Sequence, residues 1–281
     1  MHSMFDNDNF KIYIAETKKF GSKYIYSPHG GGLTFKTDPR FNFFEKVSDK
    51  IISWGNTENK QNIFVNLSPT LPIVKLKNSR IGDDCSIVFW EEQKYMYKFL
   101  NGPGMDQTIN LFNEITQFVN RLSPEIKSRV KFRVKENLYG YNFEKRFSEM
   151  FGKKYIDKIS FKNNFRNTIS NSKLIIVTYA QTAFSEAMYS NVPTILMIKK
   201  EDWLLSKTSL RMFDDFKKSQ IAFENFDEVK THINKHWKEL DLWWKSEKVQ
   251  STRRRFLTNF FNIKSDWFKE WSDYIHFSKK L

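Results

Sequence analysis

The stretch Lys173–Met197, KLIIVTYAQTAFSEAMYSNVPTILM, is the part of the sequence that decides the fold. Leu174–Val177 is a continuous apolar, β-branched run, which is typical of a strand buried on both faces of a parallel sheet. A polar turn and a short helix follow, and the helix ends at Asn191 and Pro193 before the apolar run Thr194–Ile198. Strand, turn, helix and strand in this order predict a Rossmann-like, doubly wound parallel α/β sheet.

Polar side chains are concentrated where the first of these strands ends. Thr178, Tyr179, Gln181 and Thr182 supply hydroxyl and amide groups at that point. The first N–H groups of the next helix, with its positive dipole end, favour a phosphate there. Glu186 follows about one turn later, where a carboxylate can accept hydrogen bonds from a ribose diol. A ligand site and a set of purely structural helix caps are both compatible with this pattern.

A second candidate loop lies in Tyr24–Leu33, YIYSPHGGGL, directly after another short apolar strand. Gly30, Gly31 and Gly32 form either a flexible connector or an amide-lined anion site, because glycine permits positive φ and close approach of a ligand. His29 has an unperturbed pKa near neutrality, so it can donate to a phosphate or act as acid or base. The alternative role of His29 is that of a capping imidazole.

The region between the two loops alternates between strand and helix patterns, as a parallel sheet requires. Arg133 and Lys135 stand at the end of one strand, where two cations could neutralise a diphosphate; otherwise they are surface charges on an edge strand. The predicted strands are Lys50–Trp54, Asn62–Leu67, Cys85–Trp90 and Val130–Val134, and the predicted helices are Met105–Leu122 and Phe165–Ser172.

The last third of the chain is predicted to be helical and rich in aromatic residues. Aromatic side chains at helical spacing favour packing against the rest of the fold, and an interfacial helix on an anionic membrane surface is the alternative. The predicted helices are Ser209–Lys218, Asn225–Leu240, Val249–Asn262 and Lys264–Phe277, and a further helix is predicted near the start of the chain at Phe5–Phe20.

Composition narrows the class of protein. The chain has 281 residues and a net charge of +14, which indicates an anionic partner. Nucleic acid is disfavoured, because no helix-turn-helix, zinc finger or RNP-type pattern is present. The single cysteine, Cys85, excludes an intramolecular disulfide, and no apolar run reaches the length of a membrane span. We therefore expect a cytoplasmic protein, either free or peripheral at the inner face of the membrane.

Metal and covalent chemistry leave few signals in the sequence. His232 and His236 have the i, i+4 spacing of zinc ligands, but neither an HExxH motif nor a third ligand accompanies them. We expect no metal site and no cofactor. The sequence also lacks the GxSxG, Walker A and GxGxxG motifs of hydrolases, kinases and dehydrogenases.

The segments SPHGGG, DKIISWGN, SKLIIVTYAQTAFSEAMYSNVPTILM and DLWWKSEKVQ, in this order, resemble the carboxyl-terminal half of a family of surface-carbohydrate transferases. The resemblance extends from about Tyr24 to about Trp271. Proteins of that family are similar to GT-B glycosyltransferases, in which two Rossmann-like domains face each other across a nucleotide-sugar site. The resemblance implies a GT-B carboxyl-terminal-type domain with a helical carboxyl-terminal tail.

The resemblance also implies roles for particular residues. His29 would be catalytic, and Glu186 would bind the nucleoside. The donor phosphates would be bound by Gly30, Gly31, Gly32, Arg133, Tyr179, Gln181, Thr182 and Ala183. The chain departs from the family pattern at Pro28, where glutamine is expected, at 33–35, where tyrosine and glycine are expected, and at Gln181, where serine is commoner. These departures are compatible with phosphate binding and bring turnover into question.

We predict three parts: 1–45, the remnant of an amino-terminal GT-B domain; 46–224, a nucleotide-sugar-binding domain; and 225–281, aromatic and basic helices. A complete GT-B enzyme needs two halves of ordinary domain size, so we expect the missing amino-terminal domain on a longer protein or a partner chain. The expected activity transfers a sugar from a nucleotide-sugar donor to a carbohydrate or lipid-linked acceptor, in surface-polysaccharide or lipopolysaccharide synthesis. The alternative is a non-catalytic binding or scaffold module in a polysaccharide-synthesis assembly.

Overall fold

The computed structural model of the chain describes residues 7–28, 30–33, 41–55, 63–70, 82–91, 102–134, 140–159 and 164–278. The strands in these ranges are β1 (Ile25–Tyr26), β2 (Lys50–Ser53), β3 (Phe64–Asn66), β4 (Asp84–Val88), β5 (Val130–Arg133), β6 (Ser172–Val177), β7 (Thr194–Met197) and β8 (Ala222–Phe223). The helices are α1 (Asp8–Lys19), α2 (Phe41–Val47), α3 (Met105–Asn120), α4 (Pro124–Lys127), α5 (Phe143–Phe151), α6 (Phe165–Asn171), α7 (Thr182–Ser190), α8 (Lys207–Lys218), α9 (Phe226–His236), α10 (Leu240–Trp244), α11 (Glu247–Phe260) and α12 (Trp267–Ser278).

The strands form two parallel sheets. The first sheet has the order β1-β2-β3, and the second has the order β5-β4-β6-β7-β8. In the second sheet the direction of winding reverses between β4 and β6, so it is doubly wound and its crevice opens at the carboxyl ends of these two strands. The predicted α/β class is therefore confirmed.

Sheet pairing crosses the boundary that the sequence suggested between 45 and 46. Ile25 of β1 is in register with Lys50 of β2, and Ile51 of β2 is in register with Phe64 of β3. Strands on both sides of that boundary thus share the first sheet, and the second sheet begins only at β4.

Apolar residues on both faces explain the central strands of the second sheet. Five of the six residues of β6 are buried, and all four residues of β7 are buried. Helices therefore cover both faces, as expected for a parallel sheet. The helix predicted at Asn225–Leu240 instead ends at His236 and continues through a 3₁₀ turn into α10.

Three helices, α2, α4 and α5, and the short strand β8 had no counterpart in the sequence prediction. Helix α5 carries Phe143 and Phe147 one turn apart, and both are buried in the main core. The residue before it, Asn142, has a left-handed backbone with φ of 57°, so a tight turn rather than a capping side chain starts this helix.

The carboxyl-terminal helices pack back on the first sheet. Ser68, at the end of β3, is bonded through all its polar groups: its N–H donates to Glu270 Oε2 (2.9 Å), its Oγ accepts from Lys264 N (2.9 Å), and its carbonyl accepts from Trp271 Nε1 (2.7 Å). The packing alternative is thus confirmed for this face of α12. Phe268 on the same helix is 73% exposed. None of the helices in the described ranges combines the length and hydrophobicity that a membrane span requires.

The two histidines with metal-ligand spacing belong to an aromatic cluster. His232 is buried, with its ring centroid 4.6 Å from that of Trp243, 4.7 Å from His236 and 5.3 Å from Phe223. Neither ring nitrogen of His232 has a hydrogen-bond partner among the described residues. Burial, with contributions from the charges of His236 and Lys235, lowers the pKa of His232 to about 4.

We expect this histidine to make stability depend on pH. Between about pH 6.5 and pH 4 the unfolded chain binds a proton that the folded chain excludes. The free energy of unfolding therefore decreases as the pH is lowered through this range, by up to about 3 kcal/mol. His232→Phe should remove this part of the dependence in denaturant unfolding measured from pH 4 to 8. His276→Phe, on an exposed site of α12, is the control. An unchanged pH dependence in His232→Phe would contradict the assignment.

Candidate functional site

A cavity of about 230 Å³ lies at the crevice of the second sheet. It opens at the ends of β4, β5 and β6 and reaches the start of α7. Its lining consists of Val88, Phe89, Arg133, Ile159, Phe165, Tyr179, Thr182, Ala183 and Glu186. Thr182 and Glu186 therefore line one crevice, as predicted, and they share it with three other residues that the sequence indicated.

The start of α7 presents backbone N–H groups beside this cavity. Gln181 is the N-cap residue in an extended conformation, and its side chain makes no capping hydrogen bond among the described residues. Thr178 acts between strands instead: its Oγ1 accepts from Trp90 N (2.8 Å) and its N–H donates to Val88 O (3.1 Å). The first N–H groups of α7 thus lack a capping side chain from Gln181, which suits an anion.

The glycine loop of the first sheet lies directly on this helix start. Gly31 N–H donates to Thr182 Oγ1 (3.3 Å), and Leu33 N–H donates to Ala180 O (3.1 Å). A Cβ added at Gly32 would overlap the carbonyl of Ala180, and one added at Gly31 would overlap the ring of Trp54. The loop therefore requires glycine chiefly for close approach. His29 lies outside the described residues.

Arg133 is fixed in the cavity wall. Its side chain is 5% exposed, its Nη1 donates to Asp157 Oδ2 (3.2 Å), and its guanidinium carbon lies 5.6 Å from the ring centroid of Phe165. Thr168 Oγ1 donates to the same Asp157 oxygen (2.6 Å). The surface-charge alternative for Arg133 is wrong, because the edge strand that carries it is covered at this point. Lys135 lies outside the described residues.

Glu186 carries an acidic group into a largely apolar cavity. Burial raises its pKa to about 7, even though the positive charges of Arg166 and Arg133 act in the opposite direction. Among the described residues, none donates a hydrogen bond to the Glu186 carboxylate. Burial, with a contribution from the charge of Glu186, also raises the pKa of Tyr179. A carboxylate that faces a cavity without a protein donor is a good acceptor for a ligand.

The apolar wall and one nearby cation were not expected from the sequence. Val88, Phe89, Ile159 and Phe165 line the cavity, and Arg166 acts on Glu186 by its charge. Phe165 and Arg166 begin α6, the helix before β6, and only the return of the chain brings them to the site. No three His, Cys, Asp or Glu side chains in the described part of the chain are grouped to hold a metal ion.

The fold and the cavity define an α/β protein with a cavity at the carboxyl ends of parallel strands. The chain belongs to the LIC12162 family of transferases, whose family model matches residues 1–275. The resemblance to a transferase family is therefore confirmed. A search of curated proteins gave no significant match.

Several solved structures are similar to the chain at low sequence identity. TarM has 11% sequence identity and a TM-score of 0.48, and the matched region covers 90% of this chain and 50% of the TarM chain. HepE of Anabaena, solved in complex with UDP and glucose, has 10% identity and a TM-score of 0.49, covering 87% and 70%. The wall teichoic acid polymerase TagF has 12% identity and a TM-score of 0.47, covering 92% and 68%. The chain thus spans half the length of TarM.

Replacing Gly32 should test the close contact between the loop and α7. Gly32 has φ of +146° and Gly152 has φ of +103°, but only Gly32 has atoms in the path of an added Cβ. We expect Gly152→Ala to lower the free energy of unfolding by about 1–2 kcal/mol through backbone strain, and Gly32→Ala to lower it by about 2–4 kcal/mol because overlap is added. Denaturant unfolding would measure both, and equal losses would contradict the overlap.

Proposed function

We propose that this chain binds a nucleotide-activated sugar and forms the donor-binding part of a GT-B glycosyltransferase for surface-polysaccharide or lipopolysaccharide synthesis. One observation carries the proposal: a glycine loop from one parallel sheet touches the start of α7 in the other, beside a cavity that holds Glu186. The loop that follows a strand of the first sheet thereby lies next to Thr182, which lines the cavity of the second sheet. Membership in a transferase family agrees with this role.

The donor phosphates would lie at the start of α7. The N–H groups there are aligned with the positive end of the helix dipole, and the residues of this turn include Gln181, Thr182 and Ala183. Thr182 Oγ1 already accepts a hydrogen bond from Gly31, so its own O–H can donate to a phosphate oxygen. The amides of Gly30 and Gly32 would complete this side of the site, near Tyr179, and the amide of Gly31 would orient the Thr182 hydroxyl to which it donates.

The ribose would lie one turn further along α7, at Glu186. Its carboxylate would accept hydrogen bonds from the two ribose hydroxyls, which replace the solvent lost on burial. The phosphate end and the nucleoside end of the donor would thus be recognised by residues four positions apart on one helix.

The reaction would be a displacement at the anomeric carbon of the donor sugar. An acceptor hydroxyl oxygen forms the new bond to that carbon, the bond to the phosphate oxygen breaks, and its electron pair leaves with the nucleotide. The start of α7 and Thr182 would stabilise the negative charge that develops on the leaving group. The acceptor proton needs a base, and His29 is the candidate. The backbone amides would stabilise the negative charge of the leaving nucleotide without a metal ion.

The same proposal includes an acceptor and a place in the cell. The acceptor would be a carbohydrate or a lipid-linked carbohydrate, bound with the help of a further domain or partner chain. We place the protein in the cytoplasm, with peripheral contact to the inner face of the membrane through the exposed side chains of Phe268, Ile275 and Phe277 on α12.

Phosphate groups should supply most of the donor affinity. Charge-assisted hydrogen bonds are worth about 1.5–3 kcal/mol each, whereas sugar hydroxyls mostly exchange water for protein. A nucleoside diphosphate should bind at least about tenfold more tightly than its parent nucleoside in calorimetric titration. Thr182→Ala should narrow this gap, and Thr182→Ser, which keeps the hydroxyl, should preserve it. Equal affinity for the two ligands would contradict the donor site and favour the alternative of a non-catalytic scaffold module.

Binding should also depend on the ionisation of Glu186. Because its pKa is about 7, the acceptor carboxylate form becomes dominant only above that pH. The affinity for a nucleotide-sugar, whose diphosphate is fully ionised throughout, should rise by about tenfold between pH 6 and pH 8. Glu186→Gln should bind more weakly at pH 8 and lose this pH dependence. A dependence that persists in Glu186→Gln would assign it to another group.

A further inference from the structure

Arg133 lies at the far side of the cavity from the helix start that suits phosphate. In the second sheet Arg133 is in register with Val88 of β4, and Val88 is in register with Val177 of β6. Neighbouring strands are about 4.8 Å apart, so the backbone of Arg133 is about 10 Å from the end of β6, where the turn into α7 begins. A phosphate at Thr182 and a group at Arg133 would therefore be separated by a distance that suits a ribose.

The surroundings of Arg133 suit a planar heterocycle better than a second phosphate. Its charge is already balanced by Asp157, which the Thr168 hydroxyl also holds. The neighbouring wall is apolar and aromatic, formed by Phe165 with Val88, Phe89 and Ile159. An apolar and aromatic wall with a fixed polar group beside it is how a ring is usually held and oriented.

The hydrogen-bond donors of Arg133 favour some nucleobases over others. A guanidinium group has only donors, whatever its other partners. Uracil and thymine present a carbonyl acceptor at position 4 and guanine presents acceptors at O6 and N7, whereas cytosine and adenine present an amino donor at the matching position. Two donors facing each other beside a largely apolar wall leave both without a hydrogen bond, which disfavours the amino bases.

We propose that Arg133 determines base specificity by donating hydrogen bonds to the carbonyl at position 4 of a pyrimidine or position 6 of a purine, so that the donor is a uracil, thymine or guanine nucleotide. This inference rests on the proposed function and assigns Arg133 to the base in place of the phosphate role expected from the sequence. Arg133 would then contact the edge of the base, with its guanidinium held by Asp157 and lying over the ring of Phe165.

Matched nucleotide pairs test the inference on the unmodified chain. UDP and CDP differ at position 4 of the pyrimidine, and IDP and ADP differ in the same way at position 6 of the purine. Calorimetric titration should show UDP at least tenfold tighter than CDP, a difference of about 1.4 kcal/mol, and IDP similarly tighter than ADP if purines enter the cavity. Equal affinity within the pyrimidine pair would overturn the inference.

Variants assign the preference to the arginine. An amide side chain offers both a donor and an acceptor, so Arg133→Gln should bind UDP and CDP within about threefold of each other. If loss of the partner of Asp157 prevents folding, the double variant Arg133→Gln/Asp157→Asn removes the unbalanced charge. The control is Arg211→Gln, at an exposed position on α8, which should keep the preference. A tenfold preference that survives in a folded Arg133 variant would overturn the assignment.

The outcomes also separate this inference from the proposed function. If diphosphates bind more tightly than nucleosides but show no base preference, the donor site stands and the role of Arg133 falls. If no nucleotide binds, or if nucleosides bind as tightly as diphosphates, the proposed nucleotide site is wrong, and base recognition by Arg133 is wrong with it.

Discussion

The contact between the glycine loop and the turn that starts α7 is the constraint on which the site depends. Gly31 and Gly32 lie so close to Ala180 and Thr182 that side chains on the loop would overlap the neighbouring backbone or the ring of Trp54. This contact joins the strand ends of the first sheet to those of the second. A wider approach would separate the loop amides from the helix N–H groups and expose the start of α7 to water, which would weaken electrostatic interactions there.

The cavity combines three chemically different regions within a short distance. Backbone donors lie at the start of α7, an acceptor carboxylate lies at Glu186, and the Arg133–Asp157 pair lies across β4. The first two regions lie one turn apart on α7 and the third lies on β5, so the spacing between them is set by the helix and the sheet and not by flexible loops. The strand register fixes two of the three distances, because strand spacing in a sheet varies little.

Local sequence could predict what local structure determines. The run Lys173–Met197 specified a strand, a turn and a helix, and the four-residue separation of Thr182 and Glu186 placed both on one side of α7. Local sequence could not predict the surroundings of Arg133, because Asp157 and Phe165 come from other segments and contact Arg133 only after folding. The glycines were expected for their backbone freedom, but close packing is the stronger reason for them. Patterns report propensity, whereas contacts between distant segments depend on the whole fold.

The bonds to Ser68 have a consequence for the order in which the molecule is made. Its three partners follow it by 196, 202 and 203 residues, so they leave the ribosome long after the first sheet has been synthesised. The second sheet, with its contacts made closer along the chain, can assemble during this interval. The end of β3 must wait for α12, with its polar groups bonded only to water. Helix α12, which is translated long after β3, therefore completes the bonding at the end of the first sheet, and such long-range closure is slow relative to local helix formation.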